Sequence, residues 1–331
     1  MRAAGATTWI AGAVLLGCGD FEPTNVVEDP LMAPPRPHGE PAQITFLPFD
    51  LAPNRDPFED AERIELLQSG FLYASGPVWS AEHGLLVTDE PDNVIWALRG
   101  PGEAARWSAP SRGAFGLALD ATGRLYATEH HARAVTRTTP AGGREVLATH
   151  FGGKRLNAPH DLVLASDGSV YFTDPGWGIY RTPAARQLSF NGIFRIAPDG
   201  ELSLEHAFAW AGHGNTPRPN GIALSTNERW LYVSDDHGDR VLVFPRAEDG
   251  HLGALAAEWP TERFPMGLAV DARGWLYVAS YSGVAALSPR GEQLGFYALP
   301  RTSNLAFGDE DGASLYVTAS DAAHRLRLRG L

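Results

Sequence analysis

From Gly76 onward the chain repeats one arrangement of apolar and polar positions: an apolar run, a polar turn, then a second apolar run. Gly76-Pro77-Val78-Trp79 leads to Leu85-Leu86-Val87-Thr88-Asp89, and Gly116-Leu117-Ala118-Leu119-Asp120 to Leu125-Tyr126-Ala127-Thr128-Glu129. Asp161-Leu162-Val163-Leu164 leads to Val170-Tyr171-Phe172-Thr173-Asp174, and Gly221-Ile222-Ala223-Leu224 to Leu231-Tyr232-Val233-Ser234-Asp235. Gly267-Leu268-Ala269-Val270-Asp271 precedes Leu276-Tyr277-Val278-Ala279-Ser280, and Leu305-Ala306-Phe307-Gly308 precedes Leu315-Tyr316-Val317-Thr318-Ala319. Turns such as Asp120-Ala121-Thr122-Gly123 make each unit a hairpin. A third strand usually follows, as in Val94-Ile95-Trp96-Ala97-Leu98 and Val241-Leu242-Val243-Phe244. A period of about 40 residues with three or four strands per copy is the signature of blades that bury their faces against one another. The expected fold is therefore all-β, a six-bladed β-propeller. The longer interval from Arg181 to Asn215 reads as an insertion over one face.

In a propeller the innermost strands begin at one mouth of the central channel. The residue preceding each repeat then faces the axis, which gathers Ser75, Phe115, His160, Asn220, Met266 and Asn304 into a ring. The second strand returns to the same mouth and brings Asp89, Glu129, Asp174 and Asp235 with it. Glu129, Asp174 and Asp235 join Ser75, Phe115, Met266 and Asn304 as expected pocket residues, although acids at strand ends also commonly bind turn backbone. Five histidines, His130, His131, His160, His213 and His237, fall on this side without the spacing of a zinc site. Trp177, Tyr180, Trp210 and Tyr281 lie in or near its loops, where aromatic faces could stack on a ring-shaped ligand.

Gly76-Pro77-Val78-Trp79, Gly153-Lys154-Arg155-Leu156-Asn157-Ala158-Pro159, Phe172-Thr173-Asp174-Pro175, Pro219-Asn220-Gly221 and Asn304-Leu305-Ala306-Phe307-Gly308 occur in that order. Over roughly Ser75 to Leu328 the chain resembles the senescence-marker-protein (regucalcin)/gluconolactonase family. That resemblance implies a six-bladed propeller with a divalent cation, often Ca²⁺, at the mouth, and hydrolysis of a lactone or related ester. It also implies a ligand set of Glu, Asn, Asn and Asp, whose positions here are Ser75, His160, Asn220 and Met266. Only Asn220 keeps the family residue, so the metal site is expected to be weakened or lost. Two readings follow. In one, His160 serves as a general base or a softer metal ligand, and Asn220 with Asn304 positions a carbonyl. In the other, the mouth binds a small lactone- or sugar-like ligand, or an envelope partner, without turnover.

Composition narrows the partners. A formal net charge of −12, with Lys154 the only lysine, excludes the clustered cationic face that nucleic acid requires. The chain is expected to be monomeric. Arg2, the uncharged run Ala3 to Leu16 and the sequence Leu15-Leu16-Gly17-Cys18 read as a lipoprotein signal peptide over 1–18. The apolar run is shorter than the roughly 20 residues a helix needs to cross a bilayer. Residues 19–45, with Pro34-Pro35-Arg36-Pro37, read as a flexible tether, and 46–331 as the propeller domain. The expected location is the cell envelope, on the periplasmic or outer surface, reached by bacterial lipoprotein export and held by acyl chains on Cys18. Replacing the sole cysteine, Cys18→Ala, should shift the protein from the membrane to the soluble fraction; unchanged membrane fractionation would rule the anchor out.

Overall fold

In a computed structural model, residues 55–138, 142–179, 182–210 and 216–329 are described; the signal peptide, Cys18 and the tether lie outside them. Six four-stranded antiparallel sheets surround a central axis. Blade 1 comprises β1 (Ala74–Ser80), β2 (Gly84–Asp89), β3 (Val94–Leu98) and β4 (Ala104–Ser108). Blade 2 comprises β5 (Ala114–Leu119), β6 (Leu125–Glu129), β7 (Ala134–Thr138) and β8 (Arg144–Ala148). Blade 3 has inner strands Leu162–Leu164 and Val170–Asp174 and outer strands Phe190–Ile196 and Leu202–Ala209. Blade 4 runs from Pro219–Leu224 to Ala257–Pro260, and blade 5 from Leu268–Val270 to Gln293–Ala298.

The sixth blade is composite. Thr302–Gly308, Ser314–Ala319 and Ala322–Arg327 supply three strands, and Glu65–Ser69 from the other end of the domain supplies the fourth. Glu65 pairs with Arg325 and Ser69 with Ala322, so the two chain ends close the ring. The expected insertion over 181–215 is only partly one. Blade 3 uses its central and distal portions as outer strands, and the added segment is the stretch of 3-10 turns around Trp177–Ile179 and Pro183–Ala185.

The repeated hydroxyl and acid at the ends of the second strands have separate tasks. Thr88 Oγ1 donates to Phe115 O at 2.8 Å, Thr128 Oγ1 to His160 O at 2.7 Å, Thr173 Oγ1 to Asn220 O at 2.7 Å, and Ser234 Oγ to Met266 O at 2.6 Å. Each bond runs from one blade to the ring residue of the next. At the last junction Ser303 Oγ bridges Thr318 and Ala74 O. Ala279 occupies the equivalent place in blade 5 and has no hydroxyl. Gly76, at φ 47°, lets the neighbouring backbone come this close: a Cβ there would lie 1.9 Å from Phe115 O. The acids instead bind the segment entering their own blade. Asp89 accepts from Leu72 and Tyr73 N–H, Asp174 from Asn157 and Ala158 N–H, and Asp235 from Arg218 N–H.

Apolar faces stack from blade to blade. Leu67 of the closing strand is buried with Phe71, Leu85, Val87 and Tyr316, which joins blade 6 to blade 1. Phe58 packs edge-on against Tyr277 at 5.9 Å and against Tyr297 at 5.7 Å, bracing blade 5. Leu67→Ala should cost about 2–5 kcal/mol, as truncations of buried leucines do. In a denaturant melt the whole propeller should lose that stability in one transition; a midpoint equal to wild type would show that the closing strand does not hold the ring.

Candidate functional site at the channel mouth

The ring residues arrive at the axis on the starts of the inner strands, held by the hydroxyl–carbonyl bonds between blades. Phe115 stacks on His130 at 4.5 Å between ring centroids and lies 4.2 Å from His160. The two imidazoles are 5.4 Å apart. Tyr73 stacks 6.0 Å from Phe115, and its hydroxyl points to Met266 Sδ at 3.9 Å, so one side chain spans blades 1 to 5. Asn220 donates from Nδ2 to Asp236 Oδ2 at 2.9 Å. Arg218 Nε and Trp177 Nε1 also donate to Asp236, and Arg218 lies over the Trp177 ring.

Asn304 sits at the floor of this mouth. Its Nδ2 reaches Asp161 Oδ2 at 3.4 Å, across the axis between the opposed blades 6 and 3. Burial pushes the Asp161 carboxyl up to about 7, against bonds from Leu162, Asn304 and Ile222 that favour the anion. Below this crossbar the channel continues as a cavity of about 470 Å³ lined by residues including Leu119, Leu164, Leu224 and Phe307.

Three buried polar atoms at the mouth have no hydrogen-bond partner among the described residues: Ser75 Oγ, His130 Nε2 and His160 Nδ1. Buried polar groups are nearly always paired, so a triplet on three neighbouring blades is where a ligand's polar atoms belong. His130 differs from His160 in its second neighbour. Its Nδ1 faces Glu90 Oε1 at 3.7 Å, and Glu90 also meets His131 Nε2 at 3.1 Å. The histidines hold the Glu90 carboxyl below its ordinary value, mainly through its bond with His130. Burial lowers the His130 pKa while Glu90 works against that fall; burial and the adjacent His130 carry His160 well below the usual imidazole range. Both shifts favour the neutral imidazole.

Of the pocket acids expected from sequence, three turn away from the mouth. Glu129 is paired with both Arg144 Nε and Nη2 and accepts from Thr136 inside blade 2. Asp174 and Asp235 are spent on the backbone of the entering segments, with Arg240 added at Asp235. The competing reason is the one strand-end acids usually serve: they satisfy amide N–H groups that would otherwise be buried unpaired. His131 is half exposed at the edge, His237 Nδ1 lies 3.3 Å from Thr216 O, and His213 and Tyr180 lie outside the described residues. Trp210 is stacked by Arg186 at 4.1 Å. The sequence reading misses Tyr73 and Glu90 as mouth residues, whereas it places Asp236 there as one of the acids that keep the mouth electronegative. Tyr73 and Glu90 each lie beside a repeat motif rather than within it.

Residues 73–321 match the model of the SMP-30/Gluconolactonase/LRE-like region. The gluconolactonase of Zymomonas mobilis is 31% identical over 297 residues, covering 80% of this chain and 81% of that protein. The structure of a gluconolactonase from Xanthomonas campestris superposes with a TM-score of 0.74 at 30% identity, covering 82% of this chain and 91% of that one. A calcium-binding regucalcin from Agrobacterium tumefaciens shares the fold, with a TM-score of 0.64 at 16% identity over 80% of this chain and 94% of that one.

The residues present do not suit the hard cation that family resemblance implies. The four ligand positions offer a hydroxyl, an imidazole, an amide and a thioether, whereas Ca²⁺ takes six to eight oxygens with carboxylates among them. Among the described residues no three His, Cys, Asp or Glu side chains converge on one point. Millimolar Ca²⁺ should therefore leave the melting temperature where EDTA leaves it. The combined substitutions Ser75→Glu, His160→Asn and Met266→Asp should create Ca²⁺-dependent stabilisation, about 2.7 kcal/mol at a hundredfold excess over Kd. Stabilisation of the unsubstituted protein by Ca²⁺ would contradict this account.

Proposed function

Because this chain belongs to the SMP-30/gluconolactonase family, we propose that its mouth hydrolyses a lactone or ester by imidazole-assisted attack of water, without the carboxylate-bound cation of the family pattern. The observation that carries this reading is the set of three buried polar atoms at the mouth, Ser75 Oγ, His130 Nε2 and His160 Nδ1, that have no partner among the described residues.

Sequence points to His160 as the base, and the geometry favours His130. A general base needs a free nitrogen, a fixed ring and enough basicity to hold the proton it takes. His130 is clamped by Phe115 and the turn at Gly178, and Glu90 faces its Nδ1, the arrangement that fixes a tautomer and stabilises the imidazolium. No carboxylate among the described residues supports the His160 ring as Glu90 does His130, and both burial and His130 lower its basicity. It orients the carbonyl or the water instead.

Ester hydrolysis also needs donors where negative charge develops. The Tyr73 hydroxyl is held as the neutral acid, its pKa raised to about 12 chiefly by burial, and a thioether is a weak acceptor that a substrate oxygen can replace. The Ser75 hydroxyl is a second donor at the same wall. In the cycle His130 Nε2 takes a proton from water as its oxygen bonds to the carbonyl carbon. The same proton passes to the alkoxide as the acyl–oxygen bond breaks, leaving the ring-opened hydroxy acid.

The absence of both family carboxylates supports a second reading, a propeller that binds such a ligand without turning it over. The acyl anchor on Cys18 and a location at the cell envelope belong to this proposal as well, supported by the Leu15-Leu16-Gly17-Cys18 sequence.

In a lactone screen run with EDTA present, turnover should persist, with kcat/KM rising through an inflection below the free imidazole value near 6.5 and flat above it. His130→Gln should lower the rate about 100- to 10,000-fold. Glu90→Gln removes the anion that sustains His130 basicity and should move the inflection to still lower pH. No turnover, together with thermal stabilisation by lactones, would establish the non-catalytic reading.

A further inference from the structure

The mouth is two-sided. On the side of blades 2 to 4 stand His130, His160, Asn220 and the Asp236 cluster. On the side of blades 5, 6 and 1 stand Met266 and Tyr73 in contact with each other, with Ser75 and Asn304 on the inner-strand starts of blades 1 and 6. Outside this second half the surface is also unusual. Among the described residues, five large hydrophobic side chains are exposed, and three of them, Leu72 at 65%, Phe264 at 41% and Tyr281 at 59%, belong to segments at the mouth face of this arc. Leu72 and Phe264 lie on the connections that enter blades 1 and 5, beside Tyr73 and Met266 respectively, and Tyr281 lies in the turn between the second and third strands of blade 5.

We propose that these three residues form a tail subsite, and that the substrate is an amphiphile: a lactone or ester head reacting against His130, with an alkyl or acyl chain running over Met266 and Tyr73 and out across Leu72, Phe264 and Tyr281. This inference rests on the hydrolase reading for the head and deepens it by naming the substrate class. A polyhydroxylated sugar lactone would find few partners along the side chains of Leu72 and Phe264 and the Tyr281 ring, since alkyl and aromatic faces cannot replace the hydrogen bonds its hydroxyls make with water. An alkyl chain loses nothing polar there and gains burial. The arc is also continuous with the reacting wall, because Tyr73 touches both Phe115 and Met266.

The test is a series of γ-lactones of increasing alkyl length, with glucono-δ-lactone for comparison. kcat/KM should rise about fourfold for each methylene that the rim covers, and glucono-δ-lactone should fall below the long-chain members. Phe264→Asn, which keeps a residue tolerant of the positive φ of 55° at that position, and Tyr281→Ser should flatten the chain-length dependence while leaving the rate on γ-butyrolactone unchanged. A flat series, or a preference for glucono-δ-lactone, would overturn the proposal.

Calorimetric titration with the corresponding alkyl γ-lactams, which resist hydrolysis, separates the two layers. If no lactone is turned over but lactam affinity climbs with chain length and Phe264→Asn abolishes the climb, the hydrolase reading fails and the tail subsite stands. If lactones are hydrolysed but neither rate nor affinity follows chain length, the hydrolase reading stands and the subsite fails. Sedimentation of the same variants supplies the remaining outcome: a changed oligomeric state without any chain-length effect would make the rim a contact between copies and overturn the proposal.

Discussion

The architecture turns on a short hydrogen bond that crosses from one blade to the next. A hydroxyl at the end of a second strand grips the carbonyl of the residue that begins the neighbouring inner strand, at Thr88, Thr128, Thr173 and Ser234 in turn. The bond is buried, so it is costly to leave unmade. It does two jobs with one contact: it sets the blade-to-blade interval, and it fixes the backbone from which Phe115, His160, Asn220 and Met266 project. Scaffold and site therefore cannot be varied independently at these positions. Side-chain identity remains free because only the carbonyl is held, which lets a propeller of this family carry histidine and methionine where the family resemblance places amide and carboxylate.

Much of this was legible from residues alone, and the reason is periodicity. Six recurrences of Gly-Leu-Ala-Leu and Leu-Tyr-Val-Ser type runs specify hairpins, and hairpins at that interval can bury their faces only as blades. Two features of the fold were not legible. The closing strand Glu65–Ser69 carries no repeat signature, since it is a lone outer strand whose partner lies about 260 positions away. The last strand of blade 3, Leu202–Ala209, hid within the apparent insertion because a half-exposed edge strand has weak apolar alternation, whereas the buried run Gly192 to Ile196 before it could be read as a strand.

The site was legible to a lesser degree. Position in the repeat placed Phe115 and His160 together, and their ring centroids lie 4.2 Å apart. Position could not say where a side chain spends its hydrogen bonds. Glu129, Asp174 and Asp235 sit at the proper height yet turn to Arg144 or to amide groups, while Asp236, one residue beyond, faces Asn220 and Trp177. Alternation along an extended chain reverses direction at every step, so an error of one residue exchanges a pocket group for a structural one. Tyr73 escaped notice for a different reason: its reach to Met266 depends on a long side chain crossing the axis, which strand spacing does not encode.

Ala279 is the place where the series of hydroxyls lapses, so among the described residues the seam between blades 5 and 6 has no hydroxyl–carbonyl bond of this kind and is crossed by the backbone bond from Gly267 N–H to Ser303 O at 3.1 Å. The segment before the closing strand lies at that seam: Phe58 wedges against Tyr277 and Tyr297, and Ala61 and Ile64 join the same apolar cluster. The chain leading toward residue 55 thus departs from a splint laid at that joint. Any pull on it strains that splint first, and then draws along the axis of Glu65–Ser69. Because ladder bonds lie perpendicular to the strand, such traction loads them together in shear instead of unzipping them one by one. A propeller held by its leading end is in this way fastened through its mechanically stronger direction.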